Sequence, residues 1–186
     1  MGGAGGIFAR PLLWRKDDQV EASGGDIWGQ KMDGVVIRRA EVADLAGLLA
    51  MVQALTRHHA GEPRVTLDTL ARDVFGAVAW FQVLVAEAAG ALVGYAALLP
   101  LARLGYGERG MDLHHLFVAE AARRDGVGSA LLRAAEEMAE SLGCTYLIIG
   151  THPGNGPAQE YYQRRGYRPM GNTSVRFTRR LGLAEG

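Results

Sequence analysis

A chain of 186 residues with 48% hydrophobic composition is long enough to bury one substantial core and is most simply one domain. Its 20 Lys plus Arg balance 20 Asp plus Glu, so no global positive field draws it to nucleic acid or to an anionic membrane surface. The single cysteine, Cys144, excludes an internal disulfide and a cysteine zinc cluster, and fits a reducing cytoplasm.

The chain opens on glycine-rich stretches, "MGGAGG" and "EASGGD", that no helical or alternating period joins. Such composition does not build a core, so residues 1–31 are expected to be a flexible N-terminal extension ahead of a domain spanning 32–186. The apolar piece "IFARPLLW" is broken by Arg10 and Pro11, too short for a membrane span, and lacks a signal-peptide pattern. The expected protein is soluble and cytoplasmic. An over-long reading of the start codon explains the extension more simply than a partner-docking arm built on Trp14 and Trp28.

From Val35 the periods alternate. "VVIRRA" has strand composition, and Leu45, Leu48, Leu49, Val52 and Leu55 then recur at helical spacing across residues 43–58. Thr66 is placed to cap a short helix, "LDTLARDVF", with Gly76 as its stop. "FQVLVAE" and "LVGYAALLP", joined by "AAGA", signal a hairpin. Residues 100–110, "PLARLGYGERG", read as a glycine-containing loop before the strand "MDLHHLFVAE". From Gly126 onward Val127, Leu131, Ala134, Ala135, Met138 and Leu142 hold one helical face, which Gly143 ends. "CTYLIIG" is a last strand, and a helix starting near Pro157 follows. A meander and then strand, helix, strand predicts an α/β fold with a mixed, mostly antiparallel sheet flanked by helices.

Gly126 and Gly128 stand at the mouth of the long helix. They serve a tight turn, or they leave backbone N–H groups bare for an anion at a helix N-terminus. A dinucleotide fold is disfavoured, because the glycines do not follow the strand directly and Leu131 stands where a third glycine is needed. The Gly-Lys-Ser/Thr ending of a nucleoside-triphosphate loop is missing as well.

Two segments, in order, decide between the readings. "VAEAARRDGVGSALL" resembles the acetyl-CoA signature of the GNAT acetyltransferase superfamily, Arg/Gln-x-x-Gly-x-Gly/Ala, carried here by Arg123, Arg124, Asp125, Gly126, Val127 and Gly128. "NGPAQEYYQRRGYRP" is similar to the superfamily's Asn-x-x-Ala-x-x-aromatic-Tyr and Gly-aromatic segment, matched by Asn155, Ala158, Tyr161, Tyr162, Gly166 and Tyr167. The resemblance covers about residues 35–181 and implies a GNAT-type acyl-CoA N-acyltransferase fold, acetyl-CoA as cosubstrate, and no metal. "HHAGEPRVTLDTLARDVFGAVAWFQVLVAE", "VGYAALLP" and "GMDLHHLFV" further resemble the diamine acetyltransferase branch, which acetylates spermidine, spermine or thialysine. That branch typically carries an acidic pair where this chain has His114 and His115, and imidazoles do not neutralise a polycation. Glu62, Asp68, Asp73, Glu108 and Asp112 are the acids left to do so.

On that resemblance, groups around Arg123, Arg124, Gly126, Val127, Gly128 and Ser129 hold the pyrophosphate of coenzyme A, with a charge-assisted contact from Arg123. Arg124 occupies a position often glycine in the family, and Asp125 one where a carboxylate must turn outward. The pantetheine arm is expected between splayed parallel strands, "LHHLFV" and "YLIIG", on backbone groups of Phe117 and Val118. Asn155 holds the cofactor or caps the following helix. Tyr162 is the expected general acid for the departing thiolate, while Tyr161 packs. Only about 0.1% of an alkylamine is neutral at pH 7, so a base is required too. Imidazoles suit that task; alternation sends the two histidines to opposite faces, with His114 the first candidate.

The expected function is acetyl transfer from acetyl-CoA to the primary amine of a small molecule, polyamine- or amino-acid-like, by direct attack in a ternary complex. No nucleic-acid or membrane partner is expected, and a homodimer is compatible with the reading. Cys144 is expected to pack, His152 to be a loop histidine, and His58 and His59 lack companions for a metal site. Two other readings use the same fold: a non-catalytic acyl-CoA-binding module, and a protein lysine or N-terminal acetyltransferase whose peptide groove the 100–110 loop would cover.

Overall fold

The computed structural model describes residues 31–32 and 34–171, which fall into two compact units divided after Gly150. The expected extension lies outside the described residues except for Lys31, which opens the first strand. In the first unit six strands lie in chain order: β1 (Lys31–Met32), β2 (Val35–Arg39), β3 (Gln82–Ala88), β4 (Ala91–Arg103), β5 (Glu108–Val118) and β6 (Tyr146–Ile149). Neighbours pair antiparallel throughout, except for the parallel β5–β6 pair. A hairpin meander followed by one helical crossover produces this mixture. The helices of this unit are α1 (Leu45–His58), α2 (Leu67–Phe75) and α3 (Val127–Ser141). The second unit contains α4 (Gly156–Arg164).

Alternation along β3 sorts the core into two layers. Val83 and Val85 join Tyr95 and Ala97 of β4 against Leu48, Met51 and Leu55 of α1 and Leu70 of α2. Leu84 and Ala86 point the other way, where α3 packs across β2 to β5. Of the helical face expected from Val127, Leu131, Ala134, Ala135, Met138 and Leu142, the first five are buried in full and Leu142, just past the end of α3, is half-buried. Each of its larger side chains contributes about 2 kcal/mol by leaving water. Thr66 caps α2 as expected, its hydroxyl accepting the Thr69 N–H at 3.2 Å.

Residues 100–110 differ from the expectation of a loop. β4 runs on to Arg103 and β5 begins at Glu108, so strand pairs from Pro100↔Met111 to Arg103↔Glu108 carry a hairpin outward and only residues 104–107 turn. β4 pairs with β3 only as far as Leu98, so from Leu99 onward it is an edge on that side, and an edge tolerates the N–H that Pro100 lacks. Arg103 fixes the outer hairpin by bonding Glu108 at 3.1 Å and lying 4.2 Å over the Tyr146 ring.

Asp44 is the one buried charged side chain among the described residues. It accepts from the Arg38 guanidinium at 2.7 and 2.9 Å and from the Glu41 N–H at 2.7 Å. Arg38 also donates to Glu87 at 2.7 and 3.0 Å, so the network ties β2 and β3 to the entry of α1. The Arg38 hydrogen bonds hold the Asp44 carboxyl below the usual range against the opposing effect of burial. A depressed folded value means that this stabilisation is complete above the unfolded value, about 3.9, and is lost as pH falls below it. Asp44→Asn is expected to lower stability by about 2 kcal/mol at pH 7 in urea unfolding and to flatten the acid side of the stability curve. An unchanged midpoint would contradict the role given to the network.

Candidate active site

β4 and β5 hold register from Gly94↔Val118 to Ala97↔His115, and then Leu98 faces Leu113. His114 is left over as an extra residue. A bulge of this kind bends the strand and breaks its side-chain alternation. The parallel β5–β6 pairing runs from Gly110↔Tyr146 to Leu113↔Ile149 and stops at the same point. From His114 to Val118, β5 pairs with β4 alone, so its other backbone edge has no strand partner among the described residues. The parallel ladder therefore ends at the bulge, where the cofactor arm is expected to lie.

The same bulge corrects the expectation that His114 and His115 face apart. Their rings stack, with centroids 4.6 Å apart and planes 21° apart, and Phe81 lies 5.7 Å from His114. Tyr95 and Phe81 both belong to the layer formed with α1 and α2, which places the pair on that side of the sheet. His114 is exposed and His115 half-buried. The Tyr95 hydroxyl, on a side chain only 1% exposed, lies 3.0 Å from His115 Nδ1. Burial pushes the Tyr95 phenol well up, so it keeps its proton at neutral pH. Burial, aided by His114 and by His59 at the end of α1, brings His115 down to about 4. His115 is therefore a neutral imidazole at pH 7, and in the tautomer with its hydrogen on Nε2 it accepts from the Tyr95 hydroxyl at Nδ1.

Beyond Val118 the chain passes through a short 3-10 turn, Glu120–Ala122, to the mouth of α3. Gly126 caps that helix at φ +82°, a left-handed conformation that glycine takes without strain. Gly128 needs another explanation. A Cβ built on it would meet only Val118 Cγ2 at 3.6 Å, an ordinary contact, so the protein itself leaves room for a side chain. The bare position lies on the first turn of α3, which receives no side-chain cap and where N–H donors favour an approaching anion. Val127 is buried beneath this turn and Ser129 is half-buried in it. Arg124 adopts φ +74°, which costs a residue with a β-carbon about 1 kcal/mol and accounts for glycine being frequent at this point of the resembled signature. Arg123 donates from Nε to the Val118 carbonyl at 3.0 Å, so that carbonyl, expected to face the cofactor arm, is already engaged. Arg123, Arg124 and Asp125 are all exposed.

In the second unit Asn155 caps α4, its Oδ1 accepting from the Ala158 N–H at 3.2 Å, and Pro157 fits the first turn. The capping alternative for Asn155 is thus the one observed. Tyr162 lies between Tyr161 and Tyr167, with ring centroids 5.4 and 5.8 Å away. Burial, and then Tyr161, raises its phenol, which keeps its proton at neutral pH. His152 Nδ1 accepts the Gly154 N–H at 3.1 Å, a contact within its own loop. Back in the first unit, burial raises the Cys144 thiol, the wrong direction for a nucleophile. Among the described residues no group of three or more His, Cys, Asp or Glu could hold a metal, and no helix is long and apolar enough to cross a membrane.

Comparison with known proteins assigns this arrangement. The profile described as Acetyltransferase (GNAT) family matches residues 50–167, more than half of the chain. The chain belongs to the GNAT acetyltransferase family. Among its GNAT relatives, thialysine N-epsilon-acetyltransferase of Sus scrofa is 26% identical over 149 residues, covering 75% of this chain and 87% of that protein. This match agrees with the resemblance to the diamine acetyltransferase branch. N-acetyltransferase family 8 member 3 of Rattus norvegicus is 33% identical over 97 residues, 52% of this chain and 42% of that protein. The chain thus spans less than half the length of that relative. Of solved structures, an integron cassette protein from V. cholerae superposes with a TM-score of 0.65 at 22% identity, covering 80% of this chain and 94% of its own. Aminoglycoside N-acetyltransferase AAC(6')-Iy, solved in complex with CoA, gives 0.64 at 20% identity, with 82% and 98% covered. These structures show that the GNAT fold is shared.

The residues at the mouth of α3 fit an acyl-CoA pyrophosphate: an uncapped helix start, a missing side chain that the fold does not require, and exposed cations at 123 and 124. Tyr95 is the partner that periodicity alone does not single out. It is a lone phenol in the aliphatic run "LVGYAALLP", and only the shifted register brings His115 to it. The two glycines are expected to behave differently on substitution. Gly126→Ala should lower stability by about 1 kcal/mol, whereas Gly128→Ala should be neutral or raise it by a few tenths, because alanine outranks glycine in a helix. Urea unfolding of the two variants measures this, and the reverse order would contradict the roles assigned to them.

Proposed function

We propose that this GNAT protein is an acetyl-CoA-dependent N-acetyltransferase that modifies the primary amine of a small molecule by direct attack in a ternary complex. The observation that carries this reading is the bare Gly128 at the mouth of α3, packed beside Val118 at the end of the unpaired β5 edge. Coenzyme A, when bound, supplies an acetyl group activated as a thioester. Backbone groups of residues 126–129, with Arg123 and Arg124, would hold its pyrophosphate, and the edge near Phe117 and Val118 would align its amide-bearing arm. The Asn155 amide nitrogen is the part of that side chain left to reach the cofactor once the oxygen caps α4. On this reading residues 32–186 act as one transferase domain and residues 1–31 as an extension to it.

The proton inventory gives His114 and Tyr162 their tasks. An ammonium acceptor loses two protons in becoming an amide, and the sulfur leaving group gains one. His114, the exposed ring of the stacked pair, takes the first proton and passes it to solvent. Nitrogen then bonds the acetyl carbon, the carbon–sulfur bond breaks, and Tyr162 gives its proton to sulfur. The second proton from nitrogen restores the phenol. Burial that keeps Tyr162 protonated supports its use as the donor.

Among the described residues, the groups recorded against the histidine pair are Tyr95 and Phe81, with His59 acting electrostatically; no carboxylate is among them. A polyamine finds no neutralising charge there. We infer an acceptor with one cationic centre at its reacting end, amino-acid-like, a class to which thialysine, named for the Sus scrofa relative, also belongs. An amine panel followed by acetyl-CoA consumption is expected to show higher kcat/KM for such amines than for spermidine. Tyr162→Phe should lower turnover about 10²-fold with little change in Tm or in acetyl-CoA affinity. Binding of acetyl-CoA without turnover on any amine would favour a binding module instead, and turnover only on peptide lysines or N-termini would favour a protein acetyltransferase.

A further inference from the structure

We propose that Tyr95 and His115 are positioning residues for His114: the Tyr95 hydroxyl fixes one tautomer of His115, whose neutral ring face then holds His114 at the unpaired edge of β5. The proposal rests on the reading of His114 as the proton acceptor and adds the two residues that act through it. Neither need touch a substrate.

The geometry supplies three constraints. A residue left over in a bulge has no partner across the ladder, so something other than the sheet must orient its side chain, and here the ring 4.6 Å away does so. That neighbouring ring must stay uncharged, because two imidazolium rings at this spacing repel and the exposed one would take up its proton less readily. With the Tyr95 hydroxyl, 3.0 Å away, as the donor, the one nitrogen of His115 to which a further proton would add is occupied. Protonating His115 would require the buried phenol to turn its hydrogen elsewhere.

Among the described residues, the groups recorded against the pair carry no carboxylate. Tyr95 faces the pair from β4 and His59 from the end of α1, while Phe81 and Phe117 contribute uncharged rings, Phe117 lying 6.0 Å from Tyr95. α3, with its acids and Arg133, packs on the opposite face of the sheet. With no carboxylate recorded against His115 among the described residues, the hydrogen bond with Tyr95 is the contact left to set its state.

Nitrogen-15 NMR of the imidazoles through a pH titration, alongside pH–rate profiles, tests the proposal. In the parent protein His115 is expected to remain the neutral Nε2–H tautomer across the neutral range, with proton uptake by the pair confined to His114. Tyr95→Phe removes one hydroxyl and keeps the ring. It is expected to mix the His115 tautomers, let His115 take part of the pair's proton and, because a charged His115 makes His114 harder to protonate, move the acidic limb of the profile to lower pH by about 0.5 unit. The double variant Tyr95→Phe, His115→Phe leaves no unpaired polar atom and restores an uncharged ring beneath His114, so the limb should return to its parental position. A His115 resonance showing hydrogen on Nδ1 would overturn the proposal. So would a Tyr95→Phe variant that loses stability while its limb stays in place, the signature of packing alone. The NMR titration needs no turnover, so it decides the state of the pair even where no amine is acetylated. Separately, His114→Gln retaining the acidic limb would sink the base assignment itself.

Discussion

Two strands in register offer one residue against one, and β5 departs from that count at a single step. Opposite Ala97 and Leu98 it supplies three residues, Leu113 to His115, and His114 is the surplus. The bend this imposes coincides with the end of the β5–β6 ladder at Leu113↔Ile149. One irregularity therefore does two things at once. It leaves the backbone of residues 114–118 with an unpaired edge suited to an amide-bearing ligand, and it turns two adjacent side chains toward the same layer. Val118, the last residue of that edge, is also the one that meets the first turn of α3 at Gly128. Edge, histidines and helix start consequently occupy one end of the sheet.

Stability and function draw on different chemistry in this chain. The scaffold relies on buried apolar side chains of α1, α2 and α3 and on a charged network, Arg38 with Asp44 and Glu87, in which every bond is short and opposite in sign. The candidate site instead avoids charge in its buried parts: Tyr95 is held protonated and His115 neutral. Charge is left to exposed groups such as Arg123 and Arg124, where an anion can reach it. The strain accepted at Arg124, in a left-handed conformation, falls in the same short segment.

Most of the scaffold was legible because its signals are local. Thr66 capping α2, the apolar face of α3 and the alternation in β3 each follow from residues a few places apart. The signature residues Gly126 and Gly128 were legible as a pair, although only the coordinates separate one required by φ from one the fold does not require. Three features were not legible, and all depend on long-range pairing. Pro100 and the glycines after it suggest a loop, whereas pairing with β5 alone lets the strand continue to Arg103. His114 and His115 alternate in sequence yet stack in space, because register, not sequence, places the bulge. Tyr95 acquires its partner through that same shift.

The proposed acyl-CoA site is the edge of β5 beyond the bulge together with the first turn of α3. Hydrogen–deuterium exchange with and without acetyl-CoA reads this directly. Peptides covering residues 114–118 and 126–130 are expected to gain protection on addition of the ligand, while residues 110–113, already paired on both sides within the sheet, should change little. Protection spread evenly over β5, or confined to segments outside these two, would contradict the account.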